Sequence, residues 1–158
     1  MRSTTIVSTV SLVAVVSAAV ILAMSQQEQD PPEPATPVAQ GARLFRIQGC
    51  AVCHAIGNGA SRGPNLAGLV PRLEQRLDPE QYQRQMAGIR KKRPDVYQQY
   101  EGVYTDILAR DGEERLRAWL TAHLRNPRFD FPEGKMPNYG HLTPQQVESL
   151  IEFLLTLK

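Results

Sequence analysis

The sequence has little cysteine and no strand pattern. Its 158 residues include only two cysteines, which excludes a framework of several disulfide bonds. No stretch alternates apolar and polar residues as a half-buried strand does, and no motif for binding nucleic acid is present. The length and the 42% of hydrophobic residues suit one modest folded domain rather than a low-complexity chain.

Both cysteines belong to one short motif. Cys50 and Cys53 are followed directly by His54, which gives the pattern C-x-x-C-H. This pattern is the sequence signal for covalent attachment of a c-type haem. A redox dithiol would need a βαβ context, and a zinc site would need two more ligands at short spacing. The other histidines, His123 and His141, lie too far apart for zinc, so the motif predicts one covalent haem.

The N-terminal part differs from the rest of the chain. Residues 6–24 carry no charge, and an apolar run of about 20 residues is long enough to span a bilayer. We expect residues 1–24 to be a transmembrane anchor or a cleaved signal peptide. Because Arg2 is the only charge before this run, both alternatives place the following domain outside the cytoplasmic membrane, on its periplasmic face. The proline-rich residues 25–36 are expected to form an extended linker.

Residues 37–158 are expected to form the haem domain. Beyond residue 36 there are 17 Lys and Arg against 13 Asp and Glu, a formal charge of +4. This mild basic bias suits an acidic protein partner or a membrane surface.

Three helices of this domain have clear boundaries in the sequence. The first has Thr36 as its cap and ends at Gly49. Another begins at Asp111 and ends before Pro127. The last begins at Thr143, where T-x-x-Q forms a capping box ahead of an apolar face. The sequence therefore predicts an all-α domain.

Two further helices are predicted between residues 78 and 110. One begins at Asp78 and has Met86 as a core residue, and the next runs from Asp95. The basic run Arg90-Lys91-Lys92-Arg93-Pro94 is expected to be the turn between them. We favour a solvated turn, with a docking site for an acidic partner as the alternative.

The order of these motifs resembles that of the class I (mitochondrial-type) cytochromes c, in their bacterial, membrane-anchored form with one haem. The matching blocks are Gly41-Ala42-Arg43-Leu44-Phe45, the C-x-x-C-H motif, Gly63-Pro64-Asn65-Leu66-Ala67-Gly68-Leu69, Leu124-Arg125-Asn126-Pro127 and Gly134-Lys135-Met136-Pro137. Residues 70–110 are longer than the corresponding loops of relatives, and they predict an inserted helical pair. The resemblance also implies that the first and last helices cross at Gly41, with Phe45 packed against the last helix.

The resemblance implies a set of haem-binding residues. These are Cys50, Cys53, His54, Pro64, Trp119 and Met136. The two cysteines would form thioethers, and His54 and Met136 would be the proximal and distal iron ligands. The Pro64 carbonyl would accept a hydrogen bond from the other nitrogen of His54. Trp119 would pack beside the haem, and a hydrogen bond from its indole to a propionate is one option.

His123 stands where relatives usually carry an aromatic residue facing the haem. It would tune the reduction potential, make it depend on pH, or displace Met136 from the iron. The interpretation that we favour is a partly buried histidine bonded to the backbone.

The function that the resemblance implies is one-electron transfer without catalysis. The protein would carry electrons from a quinol-oxidising complex to a terminal oxidase or reductase on the outer face of the cytoplasmic membrane, and no small-molecule substrate is expected. One alternative is a fixed monohaem subunit of a membrane oxidoreductase, such as a nitric oxide reductase or an oxidase. Another is a haem enzyme or gas sensor in which Met136 is labile.

Overall fold

Seven α-helices and one 3₁₀ turn follow one another in residues 36–59 and 61–158, which are the residues that the computed structural model describes. In chain order these are α1 (Pro37–Ile47), α2 (Cys50–Cys53), α3 (Leu69–Arg76), α4 (Pro79–Lys92), α5 (Pro94–Ala109), α6 (Gly112–Arg125), the 3₁₀ turn (Pro127–Phe129) and α7 (Pro144–Leu154). The described residues contain no strand, which confirms the all-α prediction. The expected anchor or signal at 1–24 lies outside these residues, as does the linker up to residue 35. None of the helices described is long and apolar enough to cross a bilayer.

The first and last helices cross in close contact. A Cβ atom at Gly41 would lie 1.9 Å from the carbonyl oxygen of Ser149 and 2.7 Å from the Cβ atom of Phe153. Only glycine therefore lets α1 approach the backbone of α7 this closely. The rings of Phe45 and Phe153 meet beside this point, with centroids 5.5 Å apart. Both features of the predicted crossing are confirmed.

The start of α7 shows the predicted capping box. The Thr143 hydroxyl accepts from the Gln146 backbone N–H, and the Gln146 side chain accepts in return from the Thr143 N–H. Leu142 and Val147 on either side of the cap are both buried, as expected of a hydrophobic staple. This start fixes the apolar face of α7 against the core, where Leu150 and other residues of the helix are buried.

The insertion contains three helices where the sequence predicted two. The unpredicted helix is α3, which buries Leu69, Val70 and Leu73. In α4 the Asp78 carboxylate accepts from the Gln81 N–H, so the predicted start of that helix is confirmed. Met86 is buried, as predicted.

The predicted turn at residues 90–94 is wrong. Arg90 and the two lysines that follow form the last turn of α4, and Pro94 is already the first residue of α5. Only Arg93 lies between the two helices. The physical reason is that proline is well tolerated at the first helical position, while basic side chains favour a helix C-terminus.

Candidate haem site

Both cysteines lie on the single turn of α2. Gly49 precedes this turn with a φ of 74°, a left-handed conformation that glycine adopts at little cost. Both thiols are free; Cys50 is buried and Cys53 partly so. Burial raises the pKa of the Cys50 thiol. The helical turn therefore presents two free thiols next to His54, with no disulfide to break.

A hydrogen bond to the backbone orients the imidazole of His54. Its Nδ1 lies 2.8 Å from the carbonyl oxygen of Pro64. Since a carbonyl can only accept, Nδ1 is the donor in this bond, and Nε2 is the ring nitrogen left available to a metal. This is the bond that the resemblance implied for Pro64, and such bonds fix the orientation and basicity of a ligating histidine.

Gly63 leaves the space that the His54 ring occupies. A Cβ atom at this position would lie 2.7 Å from Cε1 and 2.9 Å from Nδ1 of the imidazole. The Gly63 backbone N–H also donates to the Cys53 carbonyl over 2.7 Å. The backbone at 63–64 thus forms a cradle for the imidazole, and the residues present fit a haem bound through Cys50, Cys53 and His54.

The loop after the motif is held by its own polar contacts. The Leu66 N–H donates to the Ala55 carbonyl over 2.7 Å. The Asn65 side chain accepts from the Ala67 N–H at 2.9 Å and bonds to both backbone groups of Gly57. Arg72 of α3 donates to the carbonyls of Asn65 and Ala67. Helix α3, which was not predicted from the sequence, therefore stabilises the loop that carries Pro64.

Met136 lies in an irregular segment that returns towards the cysteines. It is partly buried and packs against the hydrophobic core. Three residues later, Tyr139 donates its backbone N–H to the Leu124 carbonyl over 2.8 Å. The Tyr139 hydroxyl accepts a weak hydrogen bond from the Cys50 thiol at 3.8 Å, and burial raises the pKa of Tyr139 to about 12. Tyr139 thus joins the segment of Met136 to the haem motif; ligation of iron by Met136 stays a prediction.

The indole of Trp119 has a partner within the protein. Its N–H donates to Oδ2 of Asp130 over 2.6 Å, and the side chain is buried. Arg76 of α3 lies over the indole ring at 5.0 Å and donates to the same carboxylate oxygen at 3.0 Å. The structure therefore shows a bond to Asp130 in place of the suggested bond to a propionate. Packing of Trp119 beside the haem stays a prediction.

The ring of His123 stacks on that of Trp119. The centroids are 4.4 Å apart and the planes 16° from parallel. Nδ1 of His123 is buried with no hydrogen-bond partner among the described residues, 3.9 Å from the Asp130 carboxylate. The expected bond to the backbone is absent at this nitrogen. Stacking, rather than a backbone bond, holds the ring. His141, by contrast, is exposed and bonds to Gln48, as expected for a surface residue.

The family model of cytochrome c matches residues 38–158. The chain belongs to the cytochrome c family. Comparison with curated proteins gives no match, and comparison with solved structures gives none. Cytochromes c bind haem c covalently, and they are generally electron carriers. This cytochrome c therefore binds haem c covalently, and Cys50 and Cys53 are the two thiols in the sequence that could hold it. When bound, the haem would supply an iron that can take up and release one electron.

Two residues of this cytochrome c were not singled out from the sequence. Asp130 is a fully buried carboxylate whose partners come from distant parts of the chain, so no local pattern marks it. Tyr139 lies three residues after Met136, and its contact with Cys50 spans 89 positions. A tyrosine at short distance from a predicted ligand is the one signal that could have drawn attention to it.

Proposed function

We propose that this cytochrome c is a one-electron carrier and that His54 and Met136 would both bind the haem iron. The observation that carries the proposal is the 2.8 Å bond between Nδ1 of His54 and the Pro64 carbonyl, which supports Nε2 as the nitrogen that would bind the iron. With both axial positions filled, no site remains at the iron for a substrate. A thioether ligand favours ferrous iron and raises the reduction potential.

Electrons would pass through a partly exposed haem edge, without bond making at the iron. Val52 within the haem motif is 67% exposed, and Ile56 just after it is 43% exposed. Apolar side chains at such a position would let a partner protein dock closely without the cost of desolvating charges. The net positive charge of the domain favours acidic partners.

We further propose that the domain works on the outer face of the cytoplasmic membrane. The uncharged residues 6–24 with Arg2 before them support this location, as an anchor or as a signal peptide. In that place the protein would accept electrons from a quinol-oxidising complex and pass them to a terminal oxidase or reductase.

Two other functions remain alternatives, because one structural feature supports each of them. The inserted helices α3 to α5 would give a fixed subunit of a membrane oxidoreductase, such as a nitric oxide reductase or an oxidase, an additional contact surface. The buried, unpartnered Nδ1 of His123 would suit a haem enzyme or gas sensor in which Met136 leaves the iron.

Native gel separation of mildly solubilised membranes, followed by haem staining for this chain, tests the proposal. A stained band near the protein's own mass supports a tethered carrier. Staining only in a large complex contradicts the carrier and supports the fixed subunit. Haem staining only in the soluble fraction contradicts a membrane anchor and supports cleavage of the N-terminal segment.

A further inference from the structure

Polar contacts from all three inserted helices, or from the residue beside them, meet on one stretch of chain. This stretch is residues 126–133, which lead from the end of α6 to the segment of Met136, and we call it the lead segment. The contacts come from α3, α4 and α5, and from Arg93, which lies between α4 and α5. The segment itself has only the three-residue 3₁₀ turn as regular structure.

Two helices hold Asp130 of the lead segment. Arg76 of α3 donates to its carboxylate at 3.0 Å, and the Asp130 side chain has no exposed surface. Gln85 of α4 donates through Nε2 to the Asp130 backbone carbonyl at 2.9 Å. Both the side chain and the backbone of this residue are therefore bonded to the insertion, in surroundings where a hydrogen bond to a charged group is strong.

Helix α5 holds the two ends of the 3₁₀ turn. The Tyr104 hydroxyl donates to the Phe129 carbonyl, and the rings of these two residues stack with centroids 6.0 Å apart. Asn126 donates through Nδ2 to the hydroxyl of Tyr100 at 2.5 Å. Tyr104 is 2% exposed, so its removal would leave the Phe129 carbonyl in a dry environment without this donor.

The contacts end shortly before Met136. The last is an exposed ion pair between Arg93 and Glu133 at 3.5 Å, which contributes little by itself. Beyond it, the Gly134 N–H donates to the Phe131 carbonyl, and Tyr139 is the next residue to donate its backbone N–H to another backbone group. Among the described residues, 135–138 donate no backbone hydrogen bond to another backbone group, so their path depends on the lead segment before them, on Tyr139 after them and on the packing of Met136 against the core.

We infer that the insertion positions Met136 at the haem iron by holding the lead segment, and that Tyr104 and Gln85 are the positioning residues. The inference rests on the proposed ligation of iron by Met136. A segment without regular structure opens more easily than the helices around it, so the methionine bond is sensitive to whatever fixes its approach. The insertion would then set how readily the thioether leaves the iron.

The test compares Tyr104→Phe with Tyr97→Phe in the full-length holoprotein. Both residues lie on α5, and their rings contact each other with centroids 5.5 Å apart. Only Tyr104 donates its hydroxyl to the lead segment. Each variant keeps the ring and removes one oxygen atom. The two variants therefore differ in that only Tyr104→Phe removes the hydrogen bond to the Phe129 carbonyl.

Two signals are followed as denaturant is added to the ferric protein. One is the near-red absorption band of the methionine–ferric iron bond, and the other is the helical circular dichroism. For Tyr104→Phe we expect the equilibrium constant for losing the band to rise about fivefold, as for the loss of one buried hydrogen bond. The helical signal should shift less than the band, and Tyr97→Phe should move neither.

A second pair on α4 tests the same inference with another contact. Gln85→Ala should raise the equilibrium constant for losing the methionine band, as Tyr104→Phe does. Gln83→Ala, at an exposed position of the same helix, should leave that constant unchanged. If the band and the helical signal shift together in Tyr104→Phe and Gln85→Ala, the insertion serves only overall stability and the inference is wrong. A wild-type protein without the band would instead contradict ligation by Met136, and with it the axial ligands proposed above.

Discussion

Replacing Gly41 by alanine tests the helix crossing that supports the haem motif. The added Cβ atom would lie 1.9 Å from the Ser149 carbonyl oxygen and 2.7 Å from the Phe153 Cβ atom. Non-bonded carbon atoms rest at about 3.5–4.0 Å, so α1 and α7 would have to move apart by more than about 1 Å. The obstacle is backbone, which cannot turn aside as the end of a flexible side chain can.

The magnitude follows from two opposing contributions. Overpacking a core costs about 1–3 kcal/mol, and a collision with backbone belongs at or above the upper end of that range. Alanine gains about 1 kcal/mol over glycine in helix propensity. The free energy of unfolding should therefore fall by about 2 kcal/mol or more. The rings of Phe45 and Phe153 would separate at the same time, which adds to the loss.

Denaturant unfolding of the holoprotein, followed by circular dichroism, measures this change. Gly102→Ala on α5 and Gly88→Ala on α4 are matched controls, because a Cβ atom at either position has nothing within 4 Å. Both should raise stability by up to about 1 kcal/mol. If Gly41→Ala is as stable as these controls, the two helices do not approach as closely as described, and the account of the crossing fails.

Further predictions concern the haem bonds and a buried tyrosine. Replacing both Cys50 and Cys53 by alanine should abolish haem staining on a denaturing gel; retained staining would show another covalent attachment. Burial and then the charge of Asp130 raise the pKa of Tyr82 well above its usual range, and its hydroxyl is buried without a hydrogen-bond partner in the described residues. Above about pH 10 the unfolded chain loses this proton while the folded protein keeps it, so stability should fall with rising pH by about 1.4 kcal/mol per unit. In Tyr82→Phe the slope of unfolding free energy against pH should be smaller by this amount, and an unchanged slope would contradict the assignment.

The sequence predicted those parts of the fold that local signals determine. The capping box at Thr143 and the aspartate cap at Asp78 are complete within four residues, and both were predicted correctly. Helix α3 was missed because its cap, Gly68, offers no side-chain bond and Pro71 lies in its first turn. Its eight residues acquire a role only through partners elsewhere, such as Asp130, which lies 54 positions after Arg76.

In the candidate site, too, the local contacts could be predicted from the sequence and the contacts between distant segments could not. The C-x-x-C-H motif and the carbonyl of Pro64 lie within 15 residues of one another, and their arrangement could be predicted from the resemblance. The bond from Trp119 to Asp130 could not be predicted, since it depends on how the lead segment folds back onto α6. Buried polar contacts between distant segments have no periodic signal in a sequence.

Exposure of the ferrous holoprotein to carbon monoxide at neutral pH tests most directly whether both axial positions of the iron are filled. If His54 and Met136 bind the iron as proposed, the wild-type spectrum should stay unchanged, and Met136→Ala should bind the gas and show a lower reduction potential. Immediate binding of carbon monoxide by the wild-type protein would mean that the iron has an open position. That result would contradict the electron carrier and support the haem enzyme or gas sensor.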